Sequence, residues 1–186
     1  MIYSIYIVMG LLLWPLSGGA TTVKSFAFDG LCETAQAIVH VRCLEKQSRI
    51  MPDREGVFTQ FRFAVIDVIK GTTEDEIALV LPGGNFNGQH TEVPGMPQFV
   101  PGQETVLFLS EKDDYGSPWP VGLGQGCYGV TVGSNGIRQV VFERHNPIDP
   151  TLRTKPIVQT KVSLKTFMDT IRGVIQVEAI DKIQTQ

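Results

Sequence analysis

The residue types that could do chemistry in this chain begin with a thiol. Cys127 lies in Gly124-Gln125-Gly126-Cys127-Tyr128-Gly129. A cysteine nucleophile needs a base within hydrogen-bond reach and donors for the developing oxyanion. His90 is the candidate base, which would make the chain an envelope cysteine hydrolase. The same six residues match G-x-G-x-x-G, but a dinucleotide site requires that turn to open a helix. Here Val130-Thr131-Val132 follows, which is strand material, so the glycines read as bends of a β structure. His40, His90 and His145 show no metal-ligand spacing. His40 shares a strand face with Ile38 and Arg42 and is expected as a surface imidazole. Asp113-Asp114 and the Asn85/Asn87 pair could offer oxygens to calcium, but no EF-hand pattern accompanies them. The expectation is therefore no metal and no cofactor.

A second kind of site is the long stretch between two apolar runs, Ile77–Leu81 and Thr105–Leu109. The 83–103 loop has no apolar periodicity and exceeds ordinary connection lengths, as functional loops do. Phe86, Asn87, His90, Met96 and Phe99 are the candidate binding residues, because a few well-packed side chains carry most interface energy. The competing expectation is that Met96 and Phe99 fold back and cap the end of the domain, as an Ω-loop packs on its own side chains. Pro94, Pro97 and Pro101 stiffen the loop by fixing φ.

The elements that must position these residues are mostly strands. Phe26–Ala35 reads as a short helix that Asp29 can cap. Ala37–Leu44 alternates as a strand. In Val57–Ile69 the inward phase set by Phe61, Phe63 and Val65 shifts to Ile66 and Val68, which predicts a bulge or bend. Lys70–Glu76 is a hairpin turn. Val121–Val132 is glycine-rich strand, and Gly133-Ser134-Asn135-Gly136 predicts a hairpin returning through Ile137–Phe142. Arg144–Lys161 reads as a surface crossing. In Val162–Gly173, Leu164, Phe167, Met168 and Ile171 share one helix face and Ser163 is placed to cap. The fold class is mainly β with flanking helices: a small OB-like barrel, or alternatively a β-sandwich.

Met1 to Leu16 is strongly apolar, and no charged residue precedes Lys24. With Ser17-Gly18-Gly19-Ala20 it reads as a signal peptide, residues 1–20, cleaved near Ala20; an N-terminal membrane anchor is the alternative. Residues 21–186 then form a single domain with a C-terminal helix. The protein is expected to be secreted or periplasmic, with no stable membrane span after cleavage. The net charge is −3, from 16 basic and 19 acidic residues, and no basic run leaves a nucleic-acid footprint. Three cysteines in an oxidising compartment allow one disulfide and one free thiol. Cys43 shares a face with Val39 and Val41 and should be a buried free thiol, which favours a Cys32–Cys127 pairing.

Several pieces together carry a resemblance. AIVHVRC, TQFRFAVIDVIKG, LPGG, VPGMPQFVPGQETVLFL, VGLGQGCYGV and SLKTFMDTI resemble a group of uncharacterised secreted bacterial proteins. More distantly, AIVHVR followed by FRFAVIDVIKG resembles the netrin-like modules of tissue inhibitors of metalloproteinases. That resemblance implies an OB barrel with packed helices and a binding role toward a secreted or envelope protein. It does not carry over zinc chelation by an N-terminal cysteine, because the expected mature N-terminus is Thr21. Gln125-Gly126-Cys127-Tyr128-Gly129 also resembles the Gln-Ala-Cys-x-Gly of caspases, with Gly126 in place of alanine and without that family's helix–strand alternation. Two functional expectations follow: a non-enzymatic binding module using the 83–103 loop and the barrel face, or the Cys127/His90 hydrolase. Cleavage near Ala20 predicts that the exported protein has the intact mass of a chain beginning at Thr21; a mass retaining residues 1–20 selects the anchor.

Overall fold

The computed structural model describes residues 26–143 and 159–184. The expected signal peptide and most of the 144–161 crossing lie outside the described residues. The elements run α1 (Phe28–Thr34), β1 (Ala37–Ile50), β2 (Val57–Lys70), β3 (Glu76–Pro82), β4 (Gly84–Phe86), β5 (Gln89–Thr91), β6 (Glu104–Lys112), β7 (Pro118–Pro120), β8 (Cys127–Val132), β9 (Arg138–Glu143), β10 (Gln159–Ser163) and α2 (Leu164–Gln184). The chain is mainly β. Eight strands form one antiparallel sheet in the order β10-β9-β8-β6-β1-β2-β3, with β7 paired to β6; β4 and β5 form a separate hairpin. The strand path has two ends, β10 and β3, so the hydrogen-bonded ladder does not close into a barrel. A single continuous sheet takes the place of the two stacked sheets of a sandwich.

Buried residues divide between the two faces of this sheet. On one face Ile38, Val106, Phe108, Val130 and Val140 pack with Leu31 and Cys32 of α1 and Leu164, Phe167, Met168 and Ile171 of α2. On the other, Val39, Val41, Cys43, Phe61, Phe63, Leu79, Leu81, Leu107 and Leu109 enclose a second cluster. Consecutive residues of β1 and β6 thus serve opposite cores, which explains their unbroken apolar runs. The α2 stripe is core packing, as its spacing predicts. Ser163 Oγ accepts the Thr166 N–H at 3.1 Å and caps the helix. The helix runs on past Gly173 to Gln184. In α1, by contrast, Asp29 lies in the first turn and no side chain caps the helix. Its C-terminal carbonyls are met by Lys70 Nζ, 2.7 Å from Cys32 O and 3.2 Å from Glu33 O.

The bulge expected in β2 is present, but the inward phase does not pass to Ile66 and Val68. Val41 pairs with Val65 and His40 with Asp67, leaving Ile66 bulged. Ile66 and Val68 nevertheless face outward, 46% and 39% exposed. β1 continues to Ile50, well beyond the expected Leu44, because Glu45–Ile50 pairs with Val57–Arg62. A further bulge, between Cys43 and Glu45, turns Lys46 and Ser48 to the face of Phe61 and Thr59.

The three cysteines are free thiols, so the Cys32–Cys127 expectation is not met. Cys32 packs on the helix side and Cys127 against the opposite cluster. Cys43 is buried and free, as its strand face predicts. The glycines around Cys127 serve backbone packing: a Cβ on Gly126 would come 2.5 Å from Val121 O and 3.1 Å from Phe108 O.

Phe99 decides what the long loop does. It is 3% exposed and stands edge-on to Phe61 and Phe63, each 5.1 Å between ring centres. Met96 packs partly buried against the same cluster. Phe99→Ala should cost about 3–5 kcal/mol of unfolding free energy in urea titration. A loss below about 1 kcal/mol would mean that the loop does not plug the core.

Candidate functional site

The loop that Phe99 anchors builds a groove. Its walls are Lys46 and Ser48 from β1, the β4–β5 hairpin, and the segment Glu92–Gln98; it encloses about 580 Å³. The hairpin turns at Asn87-Gly88, both at positive φ (48° and 79°), the pattern of a two-residue turn. The Asn-Gly pair was a readable signal for this hairpin, yet the sequence treated as one structureless loop contains it.

The floor is fixed by a short relay. The Thr59 hydroxyl donates to Gly83 O at 2.6 Å. Ser48 Oγ lies 2.9 Å from Thr59 Oγ1 and so donates to it. Gly84, at φ 128°, presses on this pair; a Cβ there would meet Thr59 Oγ1 and lie 2.7 Å from Ser48 Oγ. Thr91 Oγ1 accepts the Val57 N–H at 2.9 Å and ties the end of β5 to β2. His90 Nδ1 is 2.7 Å from Asn85 Oδ1, which makes it the protonated nitrogen, and Nε2 faces Glu92 at 3.7 Å. Lys46 Nζ donates to Gln98 Oε1 at 3.2 Å and sits 5.8 Å from the Phe61 ring centre.

The predicted site residues therefore separate. Asn87 and His90 are exposed on the hairpin and Phe86 is half-buried. Met96 and His90 line the groove. Phe99 belongs to the core beneath it. Cys127 and His90 share no hydrogen bond among the described residues: Cys127 packs in the second cluster, its Sγ 3.7 Å from Leu123 O, while His90 bonds to Asn85 and faces Glu92. Burial pushes its thiol well above the ordinary cysteine range. Burial, then nearby Glu178 and Asp29, raises Cys32 to about 11. Buried thiols of this kind are inert rather than nucleophilic.

Sequence reasoning missed two charged constellations. His40 is buried at 4% exposure, in place of the expected surface imidazole. Its Nε2 lies 3.1 Å from Glu104 Oε2. Glu104 also receives Arg42 Nη2 at 2.7 Å and Arg138 Nε at 3.0 Å. Cross-strand register makes the cluster: Arg42 pairs with Glu104 across β1 and β6, and β9 brings Arg138 across β8. Such partners lie on strands distant in sequence and leave no local pattern. Burial pushes His40 below its ordinary 6.5, against the pull of Glu104. Burial works to raise Glu104, but the hydrogen bond from Arg42 and the charges of Arg138 and His40 hold it below the usual carboxylate range.

The second constellation fastens the tip of the β1–β2 ribbon. Arg54 stacks 3.4 Å over the Tyr115 ring and 5.2 Å over Phe58, with Nη2 3.7 Å from Asp113 Oδ2. Asp113 accepts the N–H groups of Tyr115 and Ser117 and the indole N–H of Trp119. Burial works to raise its carboxyl; these donors and Arg54 outweigh that and lower it. Asp113 is thus a turn-organising residue. Among the described residues no cluster of three or more His, Cys, Asp or Glu side chains could hold a metal ion. No described helix is long and apolar enough to cross a membrane.

Comparison with protein-family models, with curated proteins and with solved structures finds no match.

The His40 environment has a pH consequence. With its pKa depressed in the folded state, the neutral ring stabilises the fold above the unfolded value of 6.5. As pH falls below that, the unfolded chain binds the proton first and stability declines until the folded pKa is passed. Glu104 adds a similar loss further into acid, as pH drops through its depressed value. His40→Gln should remove the slope beginning near 6.5. Urea unfolding at a series of pH values reads this directly; an unchanged slope in the variant would assign the acid sensitivity elsewhere.

Proposed function

We propose that this chain is a secreted or periplasmic, non-enzymatic binding module. Its recognition surface is the groove of the 83–103 loop together with the adjoining face of the curled sheet. The partner is a protein of the envelope or of the extracellular space. The observation that carries this reading is the groove itself. Its wall is stiffened by proline and held by Phe99, its floor by Thr59 and Ser48, and its rim is polar. Such a preformed concave surface with a few placed polar groups is what a ligand site requires.

The scaffold proposed for it is an OB-like, netrin-like barrel left partly open. Three features support that. The succession β3-β2-β1-β6-β7 wraps the second cluster. Trp119 of β7 packs into the same cluster as Leu79 and Leu81 of β3. The Val80 N–H of β3 donates to Ser117 Oγ at 2.9 Å, a side-chain bridge where a strand ladder would close the ring. The hydrolase alternative lacks such support, since the Cys127 thiol is held against Leu123 O and raised by burial, and His90 is engaged by Asn85.

Replacing Phe86–Phe99 wholesale would remove the Phe99 plug with the groove, so a narrower exchange is the test. A chain with Asn85–His90 replaced by a Gly/Ser loop, Thr91, Met96 and Phe99 intact, should keep its far-ultraviolet circular dichroism and unfold cooperatively. In native pull-downs from the cell's own envelope extract it should lose the partner that the wild type retains, the partner being identified by mass. Equal retention by both chains would overturn the proposal.

A further inference from the structure

We infer that the edge of β1 from Glu45 to Ile50 is a docking strand, and that the groove receives an extended polypeptide segment as one added strand. This rests on the binding-module reading and names the chemistry of its partner.

β6 pairs with β1 only through Ala37–Arg42. The chain at Gly102 and Gln103 adds two backbone bonds at Cys43, to its O and its N–H. Beyond Cys43, β1 pairs, among the described residues, with β2 alone. Among the described residues, no backbone hydrogen bond from outside β2 reaches Glu45–Ile50. The Glu45 carbonyl accepts from the Cys43 thiol at 3.7 Å. In an antiparallel strand alternate residues direct N–H and C=O away from the neighbour, so from Lys46 onward this edge presents backbone groups that no described residue meets. Lys46 and Ser48 on this stretch are also walls of the groove. The open edge therefore adjoins the groove.

Strand edges are ordinarily guarded by a lysine, a bulge or a covering loop. β1 has its bulge at Leu44, before the open stretch, and its lysine is turned aside: the Lys46 ammonium is held by Gln98 and lies near the Phe61 ring. The covering loop reaches this stretch through the Lys46 and Ser48 side chains, Gln98 on the one and Gly84 against the other, and takes up none of its backbone groups among the described residues. An extended polypeptide is the occupant that supplies acceptors and donors at the strand repeat of about 3.3 Å, at a spacing of about 4.8 Å from β1. Walls on both sides favour an isolated segment over the edge of a second folded copy. The lining sets Ser48, Asn85, His90 and Gln98 beside one cation, Lys46, and one anion, Glu92, and so favours neutral polar and small side chains over a run of one charge.

The probe is a linear peptide selected by the full chain from a random displayed library, then resynthesised with each amide N-methylated in turn. N-methylation at alternate residues should weaken binding by about tenfold each, and the intervening positions should be tolerant. The bound peptide should also slow amide exchange within Glu45–Ile50 at alternate residues. Binding that ignores N-methylation and leaves exchange at 45–50 unchanged would overturn the docking strand while leaving a binding module in place. Selection of no peptide overturns it as well; if the hairpin exchange above also changes nothing, both readings fail. A concentration-dependent dimer in sedimentation, with the same exchange protection and no peptide, would assign the edge to a second copy and overturn the proposal.

Discussion

The structure depends on the pairing of β1 with β6. Val39 lies opposite Leu107 and Ile38 opposite Phe108, so each pair faces a different core. The side-chain period of a strand is two, and a slip of one residue would exchange the two cores. Burial on both faces therefore locks the register more firmly than either face alone. The helices follow from it. Gln36 N–H bonds to Leu109 O and sets where the chain leaves α1. Arg172 of α2 meets Asp67 of β2 at 3.0 Å, a half-exposed pair of modest worth beside the apolar stripe. Phe28 meets Phe108, Tyr128 and Phe167 at the junction of both helices with the sheet.

The candidate site lies where this double burial runs out. At the Leu44 bulge β1 leaves β6 and continues with β2 alone. The apolar second cluster would open to water there, and Phe99 is the side chain that closes it. The loop that delivers Phe99 must cross the mouth of the sheet, and the crossing leaves the groove. The far tip of the ribbon is fastened by Arg54, whose Nε and Nη2 find no hydrogen-bond acceptor among the described residues. Stacking between Phe58 and Tyr115 and the charge of Asp113 offset that cost. Core, plug and groove are therefore linked, so a test of the site has to spare the plug.

Strand positions carrying a strong local period were legible in the residues. The helix at 164–171, its Ser163 cap, the Gly133–Gly136 hairpin and the Cys43 face all follow from spacing and turn chemistry. The continuation of β1 through Glu45–Ile50 was not legible, because EKQSRI has no apolar alternation and becomes strand only by pairing with β2. The same holds for β10, whose Gln159–Ser163 is polar and is ordered by β9. The candidate site was legible in part. The length and prolines of the loop pointed to it, and Asn87-Gly88 encoded its hairpin. Phe99 could serve a partner or the core equally well on sequence grounds, and the core claimed it.

By itself the amino-acid sequence determined a β-rich chain, the spans of its most periodic strands, the amphipathic terminal helix and the stiffness of the 83–103 loop. Each of these is a local consequence of side-chain period, capping or fixed φ. The tertiary structure alone decided that one sheet serves two cores and that Phe99 plugs one of them. It also buried His40 beneath Glu104, packed Cys127 into the second cluster, and left the end of β1 paired, among the described residues, with β2 alone beside a groove. Those outcomes depend on which strands become neighbours. Residues distant in sequence meet only through that choice, and no local pattern records it.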